Sequence, residues 1–260
     1  MSKKITLITG ASSGIGLELA WVCARNNHDL LLIARHEDKL QELTKAIKEK
    51  YSVSVDYLPY DLSEIKSAQE IYNHCQAKDL FIDVLINNAG FGDWRKFIDS
   101  DIKRQLDMIN VNISTLVYLS HLFIKDMKNN GGGKIMNIAS AAAFQPGPLM
   151  SVYYATKAFV LHFSEAIANE LKENNITVTA ICPGPTASNF KKNANIGNSR
   201  LMKKRNLPSS KNVAEFSYRA MKKGKVVAIH GLINIIMTKL VNIIPRSIVV
   251  KMVRKIQEEF

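Results

Sequence analysis

Short runs of apolar and β-branched residues alternate along this chain with segments of helical periodicity, and this alternation constrains the fold more than any other feature. The runs are KITLIT, DLLLIA, VSVDYLPYD, IDVLINNAG, GKIMNIAS, ITVTAICPG and KVVAIH, at residues 4–9, 29–34, 53–61, 82–90, 133–140, 176–184 and 225–230. Near-continuous apolar strands separated by helices are typical of a parallel sheet buried on both faces. The sequence therefore predicts a doubly wound α/β fold, with a central parallel sheet and helices on both faces.

Segments of helical periodicity lie between these strands, at residues 15–26, 37–50, 64–78, 100–128, 152–174 and 212–223. The fourth is either one long helix or a helix broken near its start. A chain of 260 residues suits one large α/β domain or two small ones. Because no linker rich in proline, glycine or serine divides the chain, we predict a single domain over residues 1–260. Residues 185–211 are polar and basic without clear periodicity, which is typical of a substrate lid.

The formal net charge of +12 favours an anionic cofactor, substrate or surface, although a plain basic surface explains it equally well. The chain has no zinc-finger spacing and no aromatic RNA-binding motif, so the sequence predicts no nucleic-acid partner. Its apolar runs are too short for a transmembrane helix or a signal-peptide core. Cys23, Cys75 and Cys182 are widely spaced, which predicts packed, reduced thiols in a cytoplasmic protein and no metal site.

A glycine-rich turn, TGASSGIG, follows the first predicted strand and opens the first predicted helix. In this context Gly10 permits a tight turn, Gly14 lets the backbone approach a pyrophosphate, and Gly16 lets the helix pack against the strand. The helix N-terminus offers N–H groups to phosphates, and serine hydroxyls add donors. We therefore predict dinucleotide contacts from Gly10, Ser12, Ser13, Gly14, Ile15 and Gly16; a glycine turn without a ligand is the alternative.

Tyr153 and Lys157 stand four residues apart in a predicted helix, so both side chains lie on one helix face. An ammonium group beside a phenol favours the phenolate and lowers its pKa from about 10, which suits proton transfer at neutral pH. Tyr154 is excluded because the residue four positions later is Ala158. Ser140 ends the preceding strand, where sheets of this kind bind ligands. These residues predict a catalytic site, with a packed helix turn as the alternative.

In order and spacing, these motifs resemble those of the short-chain dehydrogenase/reductase family, of the type with TGxxxGxG and YxxxK, from residue 4 to about residue 190. The resemblance also rests on Asp61 after the third strand, NNAG at 87–90, INVNIST around Asn112, NIAS ending at Ser140, and PGPT at 183–186. Within the family, the chain looks most like bacterial oxidoreductases with a basic C-terminal tail. The resemblance implies a Rossmann fold and an oxidoreductase that transfers a hydride between a nicotinamide and a carbonyl or secondary alcohol.

The resemblance also implies roles for individual residues. The catalytic set is Asn112, Ser140, Tyr153 and Lys157. Ser140 would donate a hydrogen bond to the substrate carbonyl, and Lys157 would also hold the nicotinamide ribose. Asn112 would hold a water that links Lys157 to solvent, with Asn110 as the alternative asparagine. The implied cofactor contacts are Asp61 and Leu62 at the adenine, Asn88, Ala89 and Gly90 beneath the adenosine ribose, and Pro183, Gly184 and Thr186 over the nicotinamide.

The end of the second strand, DLLLIARHEDKL, bears on the choice of nicotinamide cofactor. A site that prefers NAD usually carries an acid there, which binds the ribose 2′-hydroxyl. Ala34 stands at that position and Arg35 follows it. Because a guanidinium group binds a 2′-phosphate through paired donors, we predict NADP(H) as the cofactor, with NAD(H) less favoured. The alternative is that Arg35 is a solvated or ion-paired surface residue and that NAD works equally well.

Residues 231–260 form a basic tail with apolar residues at helical spacing. We expect amphipathic helices that close the pocket or pack on a partner subunit; the alternative is an interfacial helix in peripheral contact with a membrane. The family resemblance implies a homodimer or homotetramer, built through the helices at 100–128 and 152–174.

The substrate is the least constrained part of the prediction. Candidate pocket walls suit an apolar small-molecule carbonyl or alcohol, although core packing explains them equally well: Phe91, Ala141, Phe144, Leu149 and Met150. The basic lid favours an anionic substrate such as an acyl thioester. A different class of function, a non-catalytic NADP-binding sensor or scaffold, is the alternative to an enzyme, but such a protein need not keep the catalytic set.

Overall fold

A seven-stranded parallel sheet forms the centre of the protein, in the strand order β3-β2-β1-β4-β5-β6-β7. The computed structural model describes residues 3–187, 190, 194–196, 207–241 and 243–258. The strands are β1 Lys3–Thr9, β2 Asp29–Ala34, β3 Val55–Pro59, β4 Leu80–Asn87, β5 Gly133–Ile138, β6 Ile176–Cys182 and β7 Val227–Ile229. The order reverses direction between β1 and β4, and ligands bind at such a switch point in sheets of this type.

Helices cover both faces of the sheet, as predicted. They are α1 Gly14–Arg25, α2 Glu37–Lys50, α3 Lys66–Ala77, α4 Ile102–Ile109, α5 Thr115–Asn129, α6 Ser151–Glu170, α7 Ser210–Lys222, α8 Leu232–Val241 and α9 Arg246–Gln257. Because side chains alternate along a strand, neighbouring residues of β1 serve opposite faces. Ile8 packs in a core with α1, α2 and α7, whereas Leu7 packs in a second core with α3, α5 and α6.

The predicted helix over residues 100–128 is broken. Helix α4 ends at Ile109, a π-helical turn covers Asn110–Ser114, and α5 begins at Thr115. Asp101 caps α4, because its carboxylate accepts a hydrogen bond from the Lys103 N–H at 3.0 Å. The π-helical turn carries Asn112, so the break falls at a predicted catalytic residue.

The C-terminal tail folds into the two helices α8 and α9. Val249 and Val253 of α9 pack against Met150 and Tyr154 beside the start of α6. Much of the predicted lid over 185–211 lies outside the described residues, namely 188–189, 191–193 and 197–206. None of the helices in the described ranges is both long and apolar enough to cross a bilayer.

Candidate active site

One cavity of about 1290 Å³ opens where β1, β2, β4 and β5 end, next to the switch in strand order. It runs from the glycine turn, past the ends of β2 and β3, to the start of α6 and the tail helices. The predicted site residues that line it are Gly10, Ser12, Ser13, Gly14, Ile15, Arg35, Asp61, Leu62, Asn88, Ala89, Gly90, Ser140, Tyr153, Lys157, Pro183, Gly184 and Thr186. Gly16 and Asn112 lie behind this lining.

The glycine turn is held to the end of β4 by hydrogen bonds. The Asn88 side-chain amide donates to the carbonyl oxygens of Thr9, at 2.9 Å, and Gly10, at 3.2 Å. The Thr9 hydroxyl accepts from the N–H groups of Asn88 and Ala89, each at 3.0 Å. Gly10 has φ +66°, and a Cβ there would lie 2.9 Å from the Cα of Ala89. The turn is therefore a bare backbone cradle at the helix N-terminus, which fits a dinucleotide pyrophosphate.

Gly16 has a packing role, which explains its absence from the cavity wall. A Cβ at this position would overlap the carbonyl oxygen of Gly10 and the side-chain amide of Asn88. Only glycine therefore lets α1 lie this close to the turn that precedes it. Ser13, which lines the cavity, occupies the N-cap position of α1.

Arg35 and Asp61 lie together at the ends of β2 and β3. The guanidinium Nη1 is 3.8 Å from the Asp61 carboxylate, and the Arg35 side chain is 64% exposed while that of Asp61 is 41% exposed. Burial favours the neutral form of Asp61, but hydrogen bonds from Ser63 and the charge of Arg35 outweigh it and lower the pKa of this carboxyl. His36 and Lys39 line the cavity beside Arg35 and were not predicted. This end of the cavity thus presents Arg35 and Lys39 beside the Asp61 carboxylate, and the Lys103–Asp107 ion pair lines the same cavity.

Ser140, Tyr153 and Lys157 converge at the other end of the cavity. The Ser140 hydroxyl donates to the carbonyl oxygen of Pro183 at 3.4 Å. The Lys157 ammonium lies 5.9 Å from the centre of the Tyr153 ring and donates to the carbonyl oxygen of Ile138 at 2.7 Å. The ring of Tyr153 also contacts Phe190, with ring centres 5.3 Å apart. The structure therefore places the hydroxyl, phenol and ammonium groups along the wall of one cavity.

Burial decides the protonation of the tyrosine and the lysine. It raises the pKa of the Tyr153 phenol above its usual range, against the smaller lowering effect of the hydrogen bond with Ser140. Burial also lowers the pKa of Lys157 to about 8. The expectation of a lowered pKa for Tyr153 is therefore wrong, because removal of the phenol from water determines the direction of the net shift. At neutral pH Tyr153 is a neutral phenol, which is the form that donates a proton.

Asn112 fastens the π-helical turn to the cavity floor. Its side-chain oxygen accepts from the Phe91 N–H at 3.1 Å, and its amide donates to the Phe91 carbonyl at 3.1 Å and the Thr156 hydroxyl at 3.0 Å. A Cβ on Gly90 would lie 3.0 Å from this oxygen and 3.3 Å from the Lys157 nitrogen. Asn112 and Lys157 therefore meet over Gly90.

Asn110, the alternative asparagine, lies on a different side of the turn. Its amide donates to the carbonyl oxygen of Ser63 at 3.1 Å, in the segment that follows β3. Its side chain therefore bonds at the end of β3 where Asp61 lies, and the structure groups Asn112 rather than Asn110 with Lys157.

The short chain dehydrogenase family model matches residues 4–199 of the chain. This chain belongs to the short-chain dehydrogenase/reductase family. A family member from Sphingobium yanoikuyae, solved in complex with NADPH, superimposes with a TM-score of 0.81 at 28% sequence identity. The match covers 94% of this chain and 97% of that one.

Curated relatives come from animals and plants as well. A very-long-chain 3-oxoacyl-CoA reductase from Anas platyrhynchos is 34% identical over 72% of this chain. An 11-beta-hydroxysteroid dehydrogenase-like protein, 4A, from Arabidopsis thaliana is 36% identical over 70%. The matches span only 61% and 60% of the lengths of these two relatives. Since such relatives match, the bacterial subgroup stays a prediction.

Two of the predicted pocket walls of this family member are wrong. Phe91, Ala141 and Met150 line the cavity, but Phe144 and Leu149 do not. Phe144 packs instead with the core between β6 and α6. Leu149 has φ +68°, and its carbonyl oxygen accepts a hydrogen bond from Arg95 at 2.8 Å, so its backbone shapes a turn. Both outcomes depend on tertiary packing, which an apolar residue type does not reveal.

Gln257 is a cavity residue that the sequence did not reveal. It lies near the end of α9, is fully buried, and donates from its side-chain amide to the Tyr154 hydroxyl at 2.6 Å. Its backbone carbonyl accepts from the Trp94 indole at 2.9 Å. Tyr154, although excluded as the proton donor, therefore anchors the C-terminal helix against the cavity. No local motif indicates a contact between residues 103 positions apart.

Asp93 is a second residue that the sequence did not reveal. Its buried carboxylate accepts from Arg104 and Gln105 at 3.0 Å, from Asn195 at 3.1 Å and from Arg95 at 3.2 Å. These contacts join the loop after β4, helix α4 and a described residue of the lid segment. Asp93 thus holds these three segments together beside the cavity.

None of the three cysteines lines the cavity. All three are buried and free of disulfides, as packed thiols should be. Cys182 lies at the end of β6, and burial raises the pKa of its thiol to about 12. A thiol that stays protonated at neutral pH is a poor nucleophile.

Proposed function

We propose that this protein is an NADP(H)-dependent oxidoreductase that interconverts a carbonyl and a secondary alcohol, with Tyr153 as the general acid and base. The observation that carries the proposal is that Ser140, Tyr153 and Lys157 face the same cavity as the glycine turn. A proton donor and a dinucleotide cradle in one cavity are the two things that carbonyl reduction by a nicotinamide needs.

Each side chain has a step that its environment supports. Bound NADPH would supply the hydride to the carbonyl carbon. The Ser140 hydroxyl orients the carbonyl by donating a hydrogen bond to its oxygen, and the neutral Tyr153 phenol then gives that oxygen a proton. The Lys157 ammonium stabilises the phenolate that remains, because opposite charges attract strongly in a buried site. Asn112, which meets Lys157 over Gly90, would hold the water that returns the proton from solvent.

Arg35 supports NADP over NAD. Its guanidinium group is exposed at the cavity end that binds adenosine in the proposed pose, and its ion pair with Asp61 is long, at 3.8 Å. A 2′-phosphate would offer Arg35 a doubly charged acceptor of paired hydrogen bonds, and Lys39 lines the same end. The relative solved with NADPH supports the same choice.

The substrate end of the cavity favours a large apolar carbonyl compound. Phe91, Met150 and Val253 line it, together with residues of α8. The two curated relatives are named for 3-oxoacyl-CoA and hydroxysteroid substrates, both of which are large and mainly apolar. Lys255 lines the cavity as well and would suit the phosphates of an acyl thioester. We therefore place 3-oxoacyl thioesters first and ketosteroids second. Residence in the cytoplasm and a homodimer or homotetramer built through the helices at 100–128 and 152–174 stay predictions.

The test is NADPH oxidation with a panel of 3-oxoacyl thioesters, ketosteroids, diketones and aromatic aldehydes. We expect Tyr153→Phe to lower kcat by about 100- to 10,000-fold, the usual contribution of a general acid, while NADPH still binds. Tyr72→Phe is the matched control, because it removes a tyrosine hydroxyl that bonds to Asp126 away from the cavity. Turnover by Tyr153→Phe that equals the wild type would refute the proposal. NADPH binding without turnover of any substrate would favour a sensor or scaffold.

A further inference from the structure

Helix α8 has its apolar side turned outward. Its exposed apolar side chains lie three and four residues apart, on one face: Leu232, Ile233, Ile236, Met237 and Leu240, with 79, 67, 57, 43 and 44% exposure. The opposite face carries Asn234 and Thr238, which line the cavity. A helix packed on a water-soluble core normally turns its apolar face inward. The outward face of α8 therefore lacks the environment that its side chains favour.

Helix α9 extends this surface to the mouth of the cavity. Val249, Val253 and Gln257 face inward, whereas Ile248, Met252 and Ile256 are 48, 43 and 38% exposed. Three of the exposed apolar residues also line the cavity: Ile233, Met237 and Ile256. We call these three residues the apolar rim. A substrate that passes the rim moves from the exposed apolar surface directly into the cavity.

Cations accompany the apolar surface. Lys239, Arg246, Lys251 and Lys255 are exposed, and no described carboxylate lies within ion-pair distance of them. Arg254 is the exception, because it pairs with Glu258 at 2.7 Å. Apolar side chains flanked by cations match the chemistry of an anionic lipid surface, where acyl chains lie beneath negative headgroups. A second copy of the chain would instead bring two patches of the same charge together.

We propose that the α8–α9 surface docks on an anionic lipid bilayer, and that a lipid-dissolved carbonyl substrate enters the cavity past the apolar rim. The route of entry rests on the proposed function, whereas the docking does not. Helices of 10 and 12 residues lie along the interface in this arrangement and do not span the membrane.

Co-sedimentation of the full chain with vesicles tests the docking without any turnover. We expect pelleting with vesicles of phosphatidylcholine and phosphatidylglycerol, little pelleting with phosphatidylcholine alone, and release at high salt. Ile236→Glu and Leu240→Glu change exposed residues of α8 that do not line the cavity, and each should abolish pelleting. Lys239→Gln should lower the partition coefficient by about fivefold, the effect of one cation at such a surface.

Ile65→Glu is the matched control, since Ile65 is an exposed isoleucine before α3 that does not line the cavity. It should pellet like the wild type. Equal pelleting of the Ile65 and Ile236 variants would overturn the proposal. A wild-type protein that does not bind anionic vesicles, together with a lower mass of the Ile236→Glu variant in light scattering, would also overturn the proposal. A second copy of the chain would then cover the α8–α9 surface. NADPH binding by the Ile236→Glu variant shows that this variant is folded. If no substrate of the panel is turned over, the vesicle result can still be interpreted, because pelleting does not depend on turnover.

Discussion

Replacing Lys157 with methionine should make the protein more stable while abolishing its activity. Lys157 is 5% exposed, and burial lowers its pKa from 10.5 to about 8. At about 1.4 kcal/mol for each pKa unit, keeping this ammonium charged in the fold costs about 3 kcal/mol at neutral pH. Methionine has a similar length and no charge, but it loses the 2.7 Å hydrogen bond from the ammonium to Ile138, which contributes about 2 kcal/mol because the donor is charged. The expected net gain in unfolding free energy is about 1 kcal/mol.

The pH dependence of the unfolding free energy distinguishes removal of the buried Lys157 charge from simple repacking as the cause of the higher stability. Because the pKa of Lys157 is lower in the fold than in the unfolded chain, the unfolded chain binds more protons between pH 8 and 10.5. Wild-type stability should therefore rise with pH in this window, and the variant should lack that rise. The difference in unfolding free energy between Lys157→Met and the wild type is largest below pH 8. It should shrink by about 1 kcal/mol between about pH 7 and about pH 9. Urea denaturation at both pH values measures it, from the midpoint and the slope.

An exposed lysine provides the control. Lys48 lies on the outer face of α2, and Lys48→Met should change stability by less than about 0.5 kcal/mol at either pH. A Lys157→Met protein that is less stable than the wild type at neutral pH, or a stability difference that does not vary with pH, would refute the reasoning. Lost NADPH turnover in the stabilised variant would show that the buried charge is kept for chemistry.

Two further substitutions test the cofactor end of the cavity. Arg35→Ala should lower kcat/KM for NADPH by about ten- to a hundredfold, the contribution of a hydrogen bond to a charged group, and leave NADH use unchanged. Arg25→Ala, which breaks an ion pair with Glu215 away from the cavity, should affect neither cofactor; equal loss with both cofactors in the Arg35 variant would contradict the 2′-phosphate role. Gly16→Ala should weaken NADPH binding by at least about tenfold, because its Cβ would displace the carbonyl of Gly10. An unchanged Kd in a fluorescence titration would show that the turn tolerates the shift.

Local patterns were enough to predict the sheet and the motif residues. The run DLLLIA matches β2 at both ends, because a strand buried on both faces is apolar throughout its length. The glycine turn and the Tyr153–Lys157 pair could be recognised in the sequence for a similar reason. Their chemistry depends on residues close in sequence, whose geometry the backbone conformation sets.

Other properties depended on segments that lie far apart in the chain. Periodicity showed that the tail is amphipathic, but only packing decided that α8 turns Asn234 and Thr238 inward and its apolar side outward. The contact of Gln257 with Tyr154 and the raised pKa of Tyr153 likewise required the folded chain. Spacing and periodicity are properties of residues that are close together in the sequence. Burial and desolvation are set by whichever distant segment covers a group, so only the tertiary structure determines them.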